Sequence, residues 1–251
     1  MGIEFKSFYF LHIQKTGGRI FRANIIDQIY RDIKNTNIKP IYSVATAEDN
    51  WTNRFTPAAT HIHDNTTKNK NDIQDDGHAG WKKSIDNNTY VVSIFREPLK
   101  QSVSLFAHIY DTNIGNINDK GVRVKETDLS KISKEDYLNW FTKNTQNHNF
   151  QIKNFIVSDL EHWIEIEKEF INEKNRGEDK NSLFGTKIAM DRIKRVNLLI
   201  DEEHLTNIGM QRAYDKICED LKIKPSQLEF LDDSKIFKND LSSYIYDQLI
   251  P

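Results

Sequence analysis

Apolar residues occur along the chain in two kinds of pattern: short continuous runs, and runs in which they return every three or four positions. The continuous runs are FYFLHI (8–13), YVVSIF (90–95) and VNLLI (196–200). Short runs rich in β-branched and aromatic residues are typical of strands that are covered on both faces, as in a parallel sheet. The pattern therefore predicts three buried strands.

A helical pattern follows each of these runs, with apolar residues at the spacing of one helix face. Pro98 suits the first turn of the second helix, because proline lacks an N–H group that would be unpaired there. The apolar positions are Phe21, Ile25, Ile29 and Ile33 in the first helix, Leu99, Val103, Phe106 and Tyr110 in the second, and Ile208, Tyr214, Ile217 and Leu221 in the third. This alternation predicts a single α/β domain over residues 1–251, with helices flanking a parallel sheet.

Polar stretches and a helix cap separate these units. Residues 64–76 (DNTTKNKNDIQDD) have almost nothing to bury, and 111–131 is long for a connection, which makes it a candidate substrate loop. Ser133 with Asp136 predicts the start of a helix, and a further helix is expected at 160–171.

Composition and charge narrow the functional classes. The chain has 251 residues, 37% hydrophobic and 29% charged, which suits a globular domain. Lys and Arg total 35 against 37 Asp and Glu, so no overall positive field attracts nucleic acid or an anionic membrane. The single cysteine, Cys218, forms no internal disulfide, and no apolar run approaches the roughly 20 residues of a membrane span. We expect a cytoplasmic protein that binds neither nucleic acid nor membrane.

The turn after the first strand has the features of an anion site. A strand that ends in a glycine-containing turn and leads into a helix directs main-chain N–H groups and the positive helix end at one point. Gly17 and Gly18 let the backbone approach a phosphate, and Lys15 adds a full charge. Lys15 precedes the glycines, unlike the lysine of the Walker motif, which disfavours an ordinary P-loop kinase. An ordinary turn with a solvated lysine is the alternative.

The turn after the second strand offers a second phosphate contact. Arg96 leaves the end of that strand, and Ser104 lies about two helical turns further on, so a guanidinium and a hydroxyl can share one phosphate. The alternative is a surface ion pair between Arg96 and Glu97, with Ser104 facing solvent.

Together the two turns resemble those of the carbohydrate-type sulfotransferases, including the enzymes that act on heparan sulfate. HIQKTGG (12–18) resembles their 5′-phosphosulfate loop, and FREPLKQSVSLFAHIY (95–110) resembles their 3′-phosphate motif, in the same order. The resemblance implies a P-loop-like fold and the co-substrate 3′-phosphoadenosine-5′-phosphosulfate (PAPS), which leaves as 3′-phosphoadenosine-5′-phosphate (PAP), without a required metal. The positions it implies are Lys15, Thr16, Gly17, Gly18 and Arg19 for the 5′ end, and Arg96 and Ser104 for the 3′-phosphate.

Weaker similarities cover more of the chain, and two positions depart from the family pattern. NFQIK (149–153) is similar to the family's N-x-Q-x-R/K stretch, and IGMQRAYDKICEDLKI (208–223) to its late helix. Gln14 replaces the usual proline, and Arg19 stands where a hydroxyl residue is common. The resemblance implies a glycan acceptor. Four aromatic residues are candidates to contact a sugar, although residues of this type are more often part of the core: Trp51, Trp81, Tyr137 and Trp140.

His78 is the candidate base for the acceptor hydroxyl. Imidazole suits proton transfer near neutral pH, and GHAGW (77–81) resembles the family's Gly-His segment between the two phosphate motifs, where its base lies. His12 is expected to pack near the first loop, and His108 to lie on the second helix without chemistry. His61, His63 and Asp64 lack a convincing further metal ligand.

The expected activity is transfer of the sulfuryl group of PAPS to an acceptor hydroxyl, with Lys15 and His78 as catalytic residues. Two alternatives remain open. One is a nucleotide-dependent kinase that uses an irregular phosphate loop and needs Mg²⁺ and ATP. The other is a non-catalytic nucleotide-binding protein, for which Gln14 and Arg19 are the only support.

Overall fold

A computed structural model describes residues 4–41, 80–82, 84–116, 124–143, 150–156, 181–230 and 240–249. The strands are β1 (Ser7–Leu11), β2 (Lys39–Ile41), β3 (Thr89–Phe95) and β4 (Leu198–Asp201). The helices are α1 (Gly18–Phe21), α2 (Asp27–Ile33), α3 (Pro98–Asn113), α4 (Lys134–Lys143), α5 (Phe150–Ile156), α6 (Asn181–Ile193), α7 (Asn207–Leu221) and α8 (Asp240–Leu249). A π-helical turn, Arg22–Ile26, joins α1 to α2, and 3-10 turns occupy Leu129–Lys131 and Glu202–His204.

The four strands form one parallel sheet in the order β2-β1-β3-β4. The expected α/β class, a P-loop-like parallel sheet flanked by helices, is confirmed. β2 was not predicted, because three residues that include a proline carry no strand pattern. Pro40 is tolerated because β2 pairs only with β1 among the described strands, and an edge strand needs fewer N–H donors.

Alternate residues of β1 and β3 build two apolar layers, because successive side chains of a strand point to opposite faces. Phe8 and Phe10 of β1 join Val92 of β3 in a cluster with α2 and α7. Tyr9 and Leu11 join the cluster formed with α5 and α6. The strands are thus covered on both faces, as the continuous apolar runs predict.

A third apolar cluster joins α3, α4 and α8. The predicted cap of α4 is confirmed, since the main-chain N–H and hydroxyl of Ser133 both donate to Asp136 Oδ2 at 2.8 Å. Tyr137 follows on the buried side of α4 and is 3% exposed. The α3 face expected to be apolar also packs into this cluster.

Two sequence-based boundaries and one helix-face assignment need correction. α3 continues to Asn113, so the polar connection expected from Asp111 begins later; Asp111 is fully buried and accepts a hydrogen bond from Thr127. β1 ends at Leu11, because His12 and Ile13 already enter the turn. Ile208 is 69% exposed, because it lies about 200° around α7 from buried Met210.

Other expectations lie outside the described residues: the polar stretch at 64–76, the helix at 160–171 and part of the 111–131 connection. The extent of the domain over residues 1–251 stays a prediction. Among the described helices, none is both long and apolar enough to cross a membrane.

Candidate functional site

The two sequence-predicted turns lie at the carboxyl edge of the sheet, at a topological switch point. From β1 the chain passes to β2 on one side, whereas β3 pairs with β1 on the other side. In open α/β sheets, ligands bind in the crevice outside the carboxyl ends of the strands where the order reverses in this way. Lys15 follows β1 and Arg96 follows β3, so the fold itself brings the two turns to the same place.

The loop after β1 is a tight turn closed by the side chain of Thr16. Lys15 and Gly17 both adopt positive φ, 63° and 83°, on either side of Thr16. Thr16 is fully buried, and its hydroxyl donates to the carbonyl oxygen of Ile13 at 2.9 Å. That hydroxyl is therefore used to close the turn. The groups of Thr16–Gly18 that can meet a ligand are their main-chain N–H groups.

The two glycines of this loop are closely packed. A β-carbon on Gly18 would lie 2.1 Å from Cδ2 of His12, and one on Gly17 would lie 2.4 Å from Cδ1 of Leu205. His12 is 8% exposed and stacks on Phe10 with ring centroids 5.3 Å apart, which confirms the prediction that it packs near the loop. The His12 ring thus disfavours a side chain at Gly18, and at Gly17 the positive φ disfavours one in addition to the Leu205 contact.

Gln151 holds the main chain of Arg96 at the end of β3. Its Oε1 accepts from the Arg96 N–H at 3.0 Å, and its Nε2 donates to the Arg96 carbonyl oxygen at 2.7 Å. Gln151 is 6% exposed, so this amide pair is shielded from water. The NFQIK stretch therefore supplies a side chain that fixes the backbone from which the Arg96 guanidinium extends.

The Arg96 guanidinium has two partners and one unused donor. Nη1 donates to the carbonyl oxygen of Lys15 at 3.2 Å, and Nη2 lies 3.3 Å from Oε1 of Glu202. Nε is buried and has no hydrogen-bond partner among the described residues. A buried donor left unpaired costs roughly 1–3 kcal/mol, so an anion that reached Nε would remove this cost.

The alternative pairing of Arg96 with Glu97 is wrong. Glu97 caps α3 instead, accepting from the N–H groups of Leu99 at 2.9 Å and Lys100 at 2.6 Å. A carboxylate at the N-cap of a helix also interacts favourably with the positive end of the helix dipole. Glu97 is therefore committed to starting the helix that follows Arg96.

The N-terminal half of α3 turns a polar face toward the loop after β1. Gln101 Nε2 donates to the carbonyl oxygen of Gln14 at 3.2 Å. Ser104 lies three residues further along, on the same face, and is 7% exposed, so the alternative of a solvent-facing Ser104 is wrong. His108 lies on this helix as expected. Ser104 thus lies on the helix face from which Gln101, one turn earlier, contacts the loop.

A third loop, after β4, completes the site and was missed by sequence reasoning. Besides the Glu202 contact with Arg96, Glu203 Oε1 lies 3.0 Å from Nζ of Lys100, and this contact raises the pKa of Lys100. The sequence contains a signal for this loop, because the acidic run 201–203 directly follows the third predicted strand. The carboxyl ends of parallel strands share one edge, so these carboxylates are expected beside the two turns. Arg96 and Lys100 therefore each form an ion pair with a carboxylate from this loop.

The candidate base lies outside the described residues. His78 belongs to the GHAGW segment, of which Gly80 and Trp81 are described. The Tyr9 hydroxyl donates to the Gly80 carbonyl oxygen at 2.6 Å. The main-chain N–H of Trp81 donates to the carbonyl oxygen of Asn154 at 2.8 Å. The end of this segment is therefore anchored to β1 and α5.

The other candidate residues are either part of the core or outside the described residues. Trp81 and Tyr137 are buried, and Trp140 packs in the α3–α4–α8 cluster, so these aromatic rings form core as expected. The residues whose contacts the structure does not describe are Trp51, His61, His63 and Asp64, together with the side chain of Arg19.

Comparison of the chain with protein-family models, curated proteins and solved structures finds no match. The chemistry of the site is therefore inferred from its own residues and from the motif resemblance.

Proposed function

We propose that this protein is a sulfotransferase that moves the sulfuryl group of PAPS to an acceptor hydroxyl on a carbohydrate. The observation that carries the proposal is the meeting of two loops at the switch point of a parallel sheet, where Arg96 donates to the carbonyl oxygen of Lys15. Neighbouring strands lie about 4.8 Å apart, so one nucleotide can reach both loops.

The loop after β1 is the proposed site of the 5′-phosphosulfate. The positive φ values of Lys15 and Gly17 produce a compact turn immediately before α1. Lys15 supplies the charge that balances the 5′-phosphate as it leaves, while main-chain N–H groups at Gly18 and Arg19 contact its oxygens. This assignment gives the loop the role that its resemblance to the phosphosulfate loop implies.

The end of β3 and the start of α3 are the proposed site of the 3′-phosphate. The unpaired buried Nε of Arg96 fits a further anionic partner, and the Ser104 hydroxyl lies on the α3 face that contacts the loop after β1. A planar guanidinium can bind phosphate through two parallel N–H donors, which a lysine cannot do.

The proposed reaction is an in-line transfer. The acceptor oxygen attacks sulfur, the bond between sulfur and the bridging oxygen of the 5′-phosphate breaks, and PAP leaves with that oxygen. The acceptor proton passes to His78, the base that the GHAGW resemblance implies. Positioning and charge compensation dominate such a transfer, as they do in phosphoryl transfer. A glycan acceptor and a cytoplasmic location belong to this proposal.

Labelled donors test the activity. The protein is incubated with sulfur-labelled PAPS and separately with γ-labelled ATP, against a panel of glycans and simple alcohols, with and without EDTA. The expected result is sulfur transfer that EDTA does not inhibit. Phosphate transfer that requires Mg²⁺ would identify a kinase instead. Thermal stabilisation by PAP without transfer of either label would identify a non-catalytic nucleotide-binding protein.

A further inference from the structure

The carboxylate of Glu202 lies where the proposed 3′-phosphate site meets the loop after β1. Its Oε1 is 3.3 Å from Arg96 Nη2, and its Cγ is 3.4 Å from the position of a β-carbon on Gly17. The Glu202 and Arg96 side chains are 25% and 20% exposed, so water screens this pair less than an exposed one.

The loop after β4 holds Glu202 in this position. Asp201 Oδ1 accepts from the N–H of Glu203 at 3.0 Å, and the Leu205 N–H donates to the Glu202 carbonyl oxygen at 3.0 Å. Leu205 also packs against Gly17, which ties this turn to the loop after β1. Glu202 is therefore part of an ordered turn that faces the site.

The contact between Glu202 and Arg96 leaves the guanidinium only partly satisfied. One carboxylate oxygen meets one terminal nitrogen, while Nε on the same guanidinium has no partner among the described residues. A phosphate offers three oxygens and more charge than a carboxylate, and can engage Nε and Nη2 together. Exchange of the carboxylate for a phosphate thus adds a contact that Glu202 does not make.

We infer that Glu202 competes with the ligand at this site: its carboxylate occupies Arg96 until a nucleotide 3′-phosphate displaces it. The inference rests on the proposed function, since it assigns the displacing group to PAPS and PAP. A nucleotide without a 3′-phosphate leaves the ion pair intact. A nucleotide with a 3′-phosphate must break that pair, so Glu202 weakens the binding of PAP more than the binding of adenosine 5′-phosphate.

Substitution of Glu202 by glutamine removes the charge that competes for Arg96 while keeping the size of the side chain. Removal of the charge also relieves repulsion on a 5′-phosphate near Gly17, which affects both nucleotides alike. Two effects of this substitution are specific to PAP: loss of competition for Arg96, and relief of the repulsion between Glu202 and the 3′-phosphate. An Arg96→Ala background separates them, since only a gain from relieved repulsion would persist without Arg96. The matched control is Glu203→Gln, because the Glu203 side chain is 67% exposed and pairs with Lys100 instead.

The test is calorimetric titration of PAP and of adenosine 5′-phosphate into the wild-type chain, Glu202→Gln and Glu203→Gln, each first checked for folding by circular dichroism. Glu202→Gln is expected to improve the preference for PAP over adenosine 5′-phosphate roughly twofold to fivefold, the upper part of the range for a partly exposed ion pair. Glu203→Gln is expected to leave that preference unchanged. In an Arg96→Ala background the Glu202→Gln gain is expected to disappear.

The outcomes separate the inference from the proposed function. If the wild-type chain binds PAP and transfers sulfur, but Glu202→Gln changes both affinities equally or neither, only the role of Glu202 is overturned. If PAP binds to neither the wild-type chain nor Glu202→Gln, the proposed function and the inference both fail. A gain that persists without Arg96 would also contradict the inference.

Discussion

Arg96 Nη1 donates a hydrogen bond to the carbonyl oxygen of Lys15 at 3.2 Å, joining the end of β3 to the loop after β1. The two residues are 81 positions apart in the chain, yet each belongs to one of the two motifs that suggested a nucleotide site. Because of this contact, the guanidinium both stabilises the first loop and carries a charge for a ligand. Changes at Arg96 are therefore expected to affect both proposed phosphate sites.

Lys15→Ala is expected to reduce sulfur transfer at least a hundredfold, the usual effect of removing one group that stabilises transition-state charge. Lys15 is proposed to balance the leaving 5′-phosphate, and PAP affinity is expected to fall as well. The measurement is kcat/KM with labelled PAPS, with Lys143→Ala at the end of α4 as a control. Wild-type turnover in Lys15→Ala would exclude Lys15 from the reaction.

Gly18→Ala is expected to destabilise the fold by about 1–3 kcal/mol, as overpacking of a closed site does. The added methyl group would meet the His12 ring, which lies 2.1 Å from its position. Thermal melting measures the loss. Addition of His12→Ala removes the ring and is expected to recover part of the lost stability. A Gly18→Ala protein that melts like the wild type would show that the ring moves away at no cost.

Gln151→Ala is expected to lower stability by about 1–3 kcal/mol, because it leaves a shielded N–H and carbonyl oxygen of Arg96 without partners. Weaker PAP binding is expected as well, since the backbone that carries the guanidinium loses its support. Denaturant unfolding and calorimetry measure the two effects. The control is Gln211→Ala, because the Gln211 side chain makes only an exposed hydrogen bond, to Asp215 on the same helix. Equal behaviour of the two variants would contradict the role of Gln151.

His78→Ala is expected to abolish sulfur transfer while PAP binding persists, because the proposed base contacts the acceptor and not the nucleotide. Single-turnover transfer and PAP titration distinguish the two properties. His204→Ala provides the control, since His204 is an exposed histidine at the same edge of the sheet. An active His78→Ala enzyme would remove this residue from the mechanism.

Cys218 is expected to resist alkylation in the folded protein at pH 8. It is 2% exposed, and burial raises the pKa of its thiol to about 11. Because the folded pKa lies above the unfolded value, the stability linked to this thiol is present below the unfolded pKa and is lost as pH rises toward 11. Iodoacetamide labelling with and without denaturant measures the protection. Rapid labelling of the native chain would contradict the burial of Cys218.

Short-range periodicity and local chemistry predict β1, β3 and β4, the helices that follow them and the order of the two motifs, whereas β2 carries no such pattern. The run 90–95 differs from β3 by a single residue, and Ser133 with Asp136 caps α4 as predicted. Parallel pairing also follows from local pattern, since strands buried on both faces and joined by helices must run in one direction. The position of the candidate site at the carboxyl edge follows from the same argument.

The groups that surround Arg96 could not be predicted from the sequence. Gln151 clamps its backbone and Glu202 faces its guanidinium, and neither contact leaves a periodic signal, because the partners come from distant segments brought together by folding. The same holds for Gly18, whose tight packing depends on the position of the His12 ring. Motif spacing can assign an arginine to a phosphate. The carboxylate beside that arginine comes from the loop after β4, and its position depends on the order of the strands in the folded sheet.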